Sequence, residues 1–150
     1  MEDIKKELLK VCQDYLHQRI RAAREAIAVA QEAANDETKS SSGDKYETGR
    51  AMMQLEVEKN TVQLSESVKL RHALDRIGIE NAPDTVQPGS LVVTDKGTFF
   101  VAISLGKVTL HENEYFVISP ASPVGSKLIG LRSCDEMKFK DQVYVVHEVK

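Results

Sequence analysis

The 150-residue sequence contains 41% hydrophobic and 29% charged residues, a composition typical of a globular protein with one domain or two small ones. Its net charge of −3 argues against a general binder of nucleic acids or anionic membranes, because such binding depends on a cationic excess. No stretch approaches the ~20 apolar residues of a membrane span, and no apolar signal-peptide core follows Met1. We therefore expect a cytoplasmic protein that makes no membrane contact. Cys12 and Cys134 form no C-x-x-C motif and are expected to be free thiols in the core.

The first predicted element is a long helix over about residues 4–34. Its apolar residues recur at alternating spacings of four and three, which is the pattern of a coiled-coil seam. They are Leu16, Ile20, Ala23, Ile27, Ala30 and Ala34. The side chains of this seam become smaller toward the end of the helix. Because alanine lets two helices approach closely, the pattern predicts a helical hairpin that narrows toward its tip.

The polar stretch from Asn35 to Gly49 is predicted to form that tip. Its serine run, residues 40–42, favours a turn over a helix. The stretch also carries an excess of carboxylates over lysines, which predicts an acidic tip. Asp44 and Glu47 fit the spacing of a capping box, in which each side chain accepts a backbone hydrogen bond at the start of a helix.

A second helix, antiparallel to the first, is predicted over about residues 44–77, with Gly78 as its C-cap. Its seam is expected to comprise Met53, Val57, Leu64, Val68, Leu70, Leu74 and Ile77. The hairpin is assigned to residues 1–78. Residues 79–88 contain two prolines and no hydrophobic period, so they are assigned to a linker.

From residue 89 to residue 150 the pattern is one of short strands separated by turns. Strands are predicted at residues 90–94, 98–104, 108–110, 114–119, 137–139 and 143–149. A short helix is predicted over residues 122–129, with Ser122 as its cap and Pro123 at the first position, where its missing amide costs nothing. The predicted fold class is α+β, with an N-terminal antiparallel α-helical coiled-coil hairpin followed by a small antiparallel β domain with one short helix.

Two motifs, in this order, resemble those of the Gre family of bacterial transcript-cleavage factors. The run SPVGSKLIGLRSCD at residues 122–135 resembles the signature of the family's FKBP-like C-terminal domain. The run GDKYE at residues 43–47 resembles the G-D-x-x-E motif at the tip of the family's coiled coil. Order, spacing and lengths agree, so the resemblance covers nearly the whole chain. It implies an FKBP-like domain that binds a partner through Ser122, Pro123, Val124, Gly125, Leu128, Ile129 and Gly130.

The resemblance implies that this partner is RNA polymerase, with the coiled coil inserted into its secondary channel. The chain would then be a transcription elongation factor and no enzyme itself, because it stimulates the polymerase's own cleavage of backtracked RNA. It would meet the RNA 3′ end only indirectly and act as a monomer with no cofactor of its own. DNA binding is a further association of the family.

The tip carboxylates are the candidate catalytic and metal-binding residues under this resemblance. Mg²⁺ prefers hard oxygen ligands and commonly takes only one or two protein carboxylates, keeping several waters. Two carboxylates do not complete a site by themselves. Asp44 and Glu47 would therefore share a Mg²⁺ with the polymerase and promote hydrolysis by a two-metal route.

Several positions depart from the family's pattern and leave other hypotheses open. Thr48 stands where the family has asparagine, Ser126 where it has arginine and Cys134 where it has glycine. Gly49 follows where the helix is expected to be firm, and the serine run at residues 40–42 differs from the family's usual loop. One alternative is a divergent Gre-like inhibitor or modulator of RNA polymerase. Alternatives of another class are an FKBP-like prolyl isomerase and a coiled-coil adaptor or chaperone, in which the tip carboxylates would only cap a helix.

Overall fold

The computed structural model describes residues 2–38, 43–80 and 82–150, with the side chains of residues 4–36, 48–80 and 82–150. Two long helices, α1 (Glu2–Thr38) and α2 (Gly43–Asp75), precede a six-stranded sheet with one short helix, α3 (Pro123–Leu128). The predicted class, a helical hairpin followed by a β domain with one short helix, is confirmed. None of the helices in the described ranges is long and apolar enough to cross a membrane.

The chain divides into two compact units. The helical unit comprises Asp14–His72, and its described residues belong to α1 and α2. The β unit combines Met1–Gln13 with Ala73–Lys150. The predicted domain limits at residues 78 and 89 stay a prediction, since compactness alone does not say which segments act together in function.

The seam predicted on α1 is the buried stripe of the helical unit. Leu16, Ile20, Ala23 and Ala30 are buried, and on α2 the seam positions from Met53 to Val68 are half-buried. Leu70 was predicted to join this seam and does not, because it is 37% exposed. It lies two residues after Val68 and therefore almost opposite to it around a helix with 3.6 residues per turn.

Helix α2 ends at Asp75, three residues before its predicted cap. The amides of Arg76 and Ile77 donate to the carbonyls of Ala73 and Leu74, each three residues earlier, at 3.2 and 3.1 Å. This tighter turn satisfies the last carbonyls without a left-handed residue. Gly78 is not among the glycines with positive φ, so its prediction as a C-cap is wrong.

The strands of the sheet are β1 (Leu91–Thr94), β2 (Gly97–Val101), β3 (Gly106–Leu110), β4 (Asn113–Ile118), β5 (Glu136–Phe139) and β6 (Gln142–Val149). Their order across the sheet is β3-β4-β2-β1-β6-β5. All neighbours are antiparallel except β2 and β4, which run parallel with Phe99 opposite Phe116. The prediction of a purely antiparallel sheet is corrected by this pair. After β2 the chain passes beyond the position of β4, forms β3 at the edge and returns into β4.

The core of the β unit lies between the sheet and α3. Its buried members are Val86, Val92, Phe99, Val101, Leu128, Met137 and Val146. Phe100 follows Phe99 along the strand and therefore faces the other side of the sheet, where it is also fully buried. Both faces of the sheet are thus covered at β2.

Part of the predicted linker belongs to this core. Val86 is 1% exposed, its amide donates to the carbonyl of Leu131 at 2.9 Å, and its carbonyl accepts from Gly130 at 2.8 Å. The missing hydrophobic period around Val86 indicated an irregular backbone, and the structure has one there. The sequence pattern did not indicate that the side chain of Val86 would be buried in the core.

Candidate functional site

The residues that resemble the Gre signature form α3 and the turn that follows it. Ser122 has an extended backbone, and its Oγ accepts a hydrogen bond from the amide of Gly125 at 3.0 Å. The same hydroxyl donates to the carbonyl of Ser119 at 2.7 Å. Pro123 occupies the first turn, where no intrahelical partner for an amide exists. The predicted cap of this helix is confirmed, and it ties α3 to the end of β4.

Two signature residues hold the segment from the inside. Gly125 is buried, and a Cβ built on it would lie 2.0 Å from the carbonyl oxygen of Ser119. Any side chain at this position would push α3 away from the backbone beneath it. Leu128 is fully buried against the sheet. Gly125 and Leu128 therefore position the segment, and neither residue is exposed to a partner.

The outer side of the same segment is formed by other signature residues. Pro123 is exposed, Val124 is half-buried and Ile129 is 37% exposed. Gly130 has a φ of 86°, a left-handed conformation that favours glycine, and its amide bonds to the core residue Val86. The exposed apolar side chains of the signature are those of Pro123 and Ile129. That a partner binds there stays a prediction.

Lysines surround an aromatic ring beside this segment. The ammonium of Lys127, on α3, donates to the carbonyl of Lys138 on the edge strand β5 at 2.7 Å. It also lies 5.6 Å from the ring centre of Phe139, and Lys140 lies 5.4 Å from the same ring. The sequence reasoning did not predict this cluster, because Lys127 is distant in sequence from β5. Lys127 and Ile129 thus place a positive charge and an apolar side chain on the exposed side of the same segment.

The last residues of the signature close a turn onto β6. The carboxylate of Asp135 accepts from the amide of Arg132 at 2.7 Å, and the amide of Cys134 donates to the carbonyl of Val146 at 2.7 Å. Cys134 has a φ of 76°, in the left-handed region that a non-glycine residue seldom occupies. Cys134 is one of the departures from the signature, and it places a non-glycine residue where the backbone favours glycine.

The two cysteines differ in their surroundings. Cys12 is buried as predicted, and burial raises the pKa of its thiol to about 11, so the thiol stays protonated at neutral pH. Cys134 is exposed, and its prediction as a core thiol is wrong. A turn that requires a left-handed residue holds its side chain outside the core.

The tip carboxylates are placed only through the backbone. Helix α2 begins at Gly43, so Asp44 is its second residue and Glu47 its fifth. Asp44 was predicted to cap this helix, but its backbone lies inside the helix, so that prediction is corrected. The side chains of Asp44 and Glu47, and residues 39–42, lie outside the described residues. Beside this end of the hairpin, a groove between the two helices is lined by Gln31, Ala34, Asn35, Gln54 and Val57. In the part of the chain that the structure describes, no group of three or more His, Cys, Asp or Glu side chains could hold a metal ion.

Neither a protein-family model nor a curated protein matches this sequence. Among solved structures the chain is similar to one described as the structure of the transcription factor Gfh1, with 20% identity and a TM-score of 0.37 over 91% of each chain. A similarity this distant carries no argument about function. The link to the Gre family therefore rests on the two motifs, and it is taken up as a proposal.

Proposed function

We propose that this chain is a Gre-type transcription factor that binds RNA polymerase and places its hairpin tip in the secondary channel. The observation that carries the proposal is the position of the two motifs. The GDKYE run begins the second helix of a long hairpin, and the SPVG run begins a capped helix on a small β unit. Each motif thus lies on the element that the resemblance implies, and the two follow each other in the implied order.

Docking to the polymerase is assigned to the surface around α3. Ile129 offers an apolar contact, and Lys127, two residues before it, offers positive charge. Lys140, at the same Phe139 ring as Lys127, also offers positive charge. Gly125 and Leu128 hold this surface in place from the core. The tip, by contrast, is small and acidic, so we expect it to add little to affinity.

At the tip, the donor set fits a shared Mg²⁺. Asp44 and Glu47 are two hard oxygen donors within one helical turn, which suits an ion that keeps several waters and takes its remaining ligands from another protein. When bound, such an ion would stabilise the charge that develops at the phosphate during hydrolysis. The chain's own part is to supply two negative oxygens at the end of a rigid helix. The polymerase performs the cleavage, and the chain is not an enzyme in this proposal.

Docking is tested with the full-length chain in a binding titration against core RNA polymerase. Ile129→Glu should weaken binding by about tenfold or more, since a charge replaces an apolar contact. Thr109→Glu is the control, because Thr109 is exposed in the same unit but lies on β3, at the edge of the sheet opposite to β5. Loss of binding in both variants, or in neither, would contradict the assigned surface. A wild-type chain that recovers no polymerase subunits would favour the adaptor or isomerase alternatives.

The tip is tested by cleavage of a stalled, backtracked complex at several Mg²⁺ concentrations. Asp44→Asn and Glu47→Gln should each reduce cleavage strongly and leave binding unchanged, because the amide keeps the shape but loses the charge. Excess Mg²⁺ should partly restore cleavage. Asp36→Asn, on the other side of the serine run, is the control and should have a small effect. The loss of a helix cap costs only ~1 kcal/mol, so stability will not explain a large defect. A wild-type chain that binds the complex and slows cleavage would support the inhibitor alternative.

A further inference from the structure

A second row of apolar side chains lies on α2, away from its seam. Met52, Leu55 and Val62 are 61%, 64% and 57% exposed, and Leu70 is 37% exposed. Their spacings of three, seven and eight residues keep them on one side of a helix with 3.6 residues per turn. The exposed side chains of Lys59 and Glu66 belong to the same side. We call these six residues the outer row.

The outer row is unusual for a helix that already has an apolar seam on its other side. The solvent side of such a helix is normally polar, and scattered single apolar residues need no explanation. Here four of the five exposed large apolar residues in the described part of the helical unit lie in one row, and the fifth, Val29, lies on α1. Concentration on one face indicates a surface that is covered in a larger assembly.

The outer row is complementary to itself when two copies lie antiparallel. Lys59 and Glu66 are equally far from a point between residues 62 and 63, and Leu55 and Leu70 are equally far from the same point. A two-fold axis at that point therefore brings Lys59 of each copy to Glu66 of the other, and Leu55 to Leu70. Val62 lies next to the axis and meets its own counterpart.

The charges of Lys59 and Glu66 also disfavour a parallel arrangement of the two helices. In parallel, Lys59 would face Lys59 and Glu66 would face Glu66, and like charges in contact disfavour association. Among the residues that the structure describes, neither Lys59 nor Glu66 forms an ion pair within its own chain. Both are thus available to a second copy.

We propose that the outer row is a self-association surface, on which two copies of this chain pack with their α2 helices antiparallel around Val62. The apolar residues supply the attraction, and the two Lys59–Glu66 pairs select the antiparallel direction and the register. This proposal replaces the monomer implied by the family resemblance. It does not depend on the binding of RNA polymerase, but a hairpin covered in this way would not enter the polymerase channel, so the dimer and the polymerase-bound chain are alternative states.

The test is the mass of the full-length chain in solution, measured by sedimentation over a range of concentrations. We expect the 16.7 kDa chain to form a species of twice that mass as concentration rises. Val62→Glu should raise the dissociation constant by about tenfold or more, since it places two like charges at the axis. Val29→Glu is the matched control, being the same substitution at a valine that is 67% exposed on the other helix. Far-ultraviolet circular dichroism checks that both variants keep their helices.

Charge exchange tests the antiparallel register. Lys59→Glu and Glu66→Lys should each weaken the dimer, because each places like charges opposite each other twice. The double variant should restore it, and so should an equimolar mixture of the two single variants. A wild-type chain that stays monomeric at every concentration would overturn the proposal. A dimer that Val29→Glu disrupts as strongly as Val62→Glu, or that the double variant fails to restore, would do so equally.

Discussion

The helical unit and the β unit bury their apolar residues in different ways. In the β unit, side chains that are distant in sequence, such as Val86, Leu128 and Val146, meet in one core that is closed on all sides. In the helical unit, burial is confined to one seam, and large apolar side chains on α2 remain exposed. Folding therefore constrains most positions of the β unit, whereas the helical unit keeps free faces that are available for contacts with other molecules.

The two units also differ in backbone strain. The described non-glycine residues with positive φ are His111, Glu112, Cys134, Lys140 and Asp141, and all of them lie in turns of the β unit. Pairs of such residues form the two-residue turns between β3 and β4 and between β5 and β6, where the twist of the strands demands left-handed residues. Long helices need no such residues, so their sequence is free of this constraint.

The largest expected effect comes from the same substitution made in both units. Leu128→Ala should lower the free energy of unfolding by about 2–5 kcal/mol, because it leaves a cavity in a closed core. Leu55→Ala, at a side chain that is 64% exposed, should change it by about 0.5 kcal/mol or less. Urea denaturation followed by circular dichroism measures both, at a concentration low enough to avoid self-association. Equal losses of unfolding free energy in the two variants would contradict the difference between the units.

A smaller effect, of opposite sign, is expected at the strained turn. Cys134→Gly should raise the free energy of unfolding by up to about 1 kcal/mol, because glycine removes the strain of a left-handed residue but also gains freedom in the unfolded chain. Cys134→Ala keeps a Cβ at the same φ and is the control, with little change expected. If both substitutions have the same effect, the side chain rather than the backbone decides the stability of this turn.

The smallest effect concerns the turn between β1 and β2, where Asp95 is bonded to β6. The amide of Val145 donates to its carboxylate at 2.9 Å, which is the main reason that its pKa is lowered, and Lys96 at 3.2 Å adds to this. Because the folded pKa lies below the unfolded value of ~3.9, the stabilisation is complete above that pH and is lost as the pH falls through the folded pKa. The difference in stability between wild type and Asp95→Asn should thus shrink on acidification below about pH 4.

A difference that does not change with pH would contradict this assignment. Asp141→Asn is a suitable control for the substitution itself, because Asp141 is also exposed and in a hairpin turn.

The candidate site was predicted unevenly. Ser122 as a cap and Pro123 in the first turn followed from residue preferences that act within a few positions, and both are confirmed. The lysines around Phe139 could not be predicted, since they come together only when α3 packs beside β5. The chemistry assigned to Asp44 and Glu47 stays a prediction.

The sequence by itself determined the elements, because helix and strand periods, caps and turn residues are local signals. All six strands lie where they were predicted, with ends that differ by at most three residues. Only the tertiary structure decided how these elements meet. The parallel pairing of β2 with β4 and the anchoring of Val86 in the core depend on residues distant in the chain. Periodicity shows that a residue has an apolar face to bury, but packing determines which faces are buried and which remain for partners.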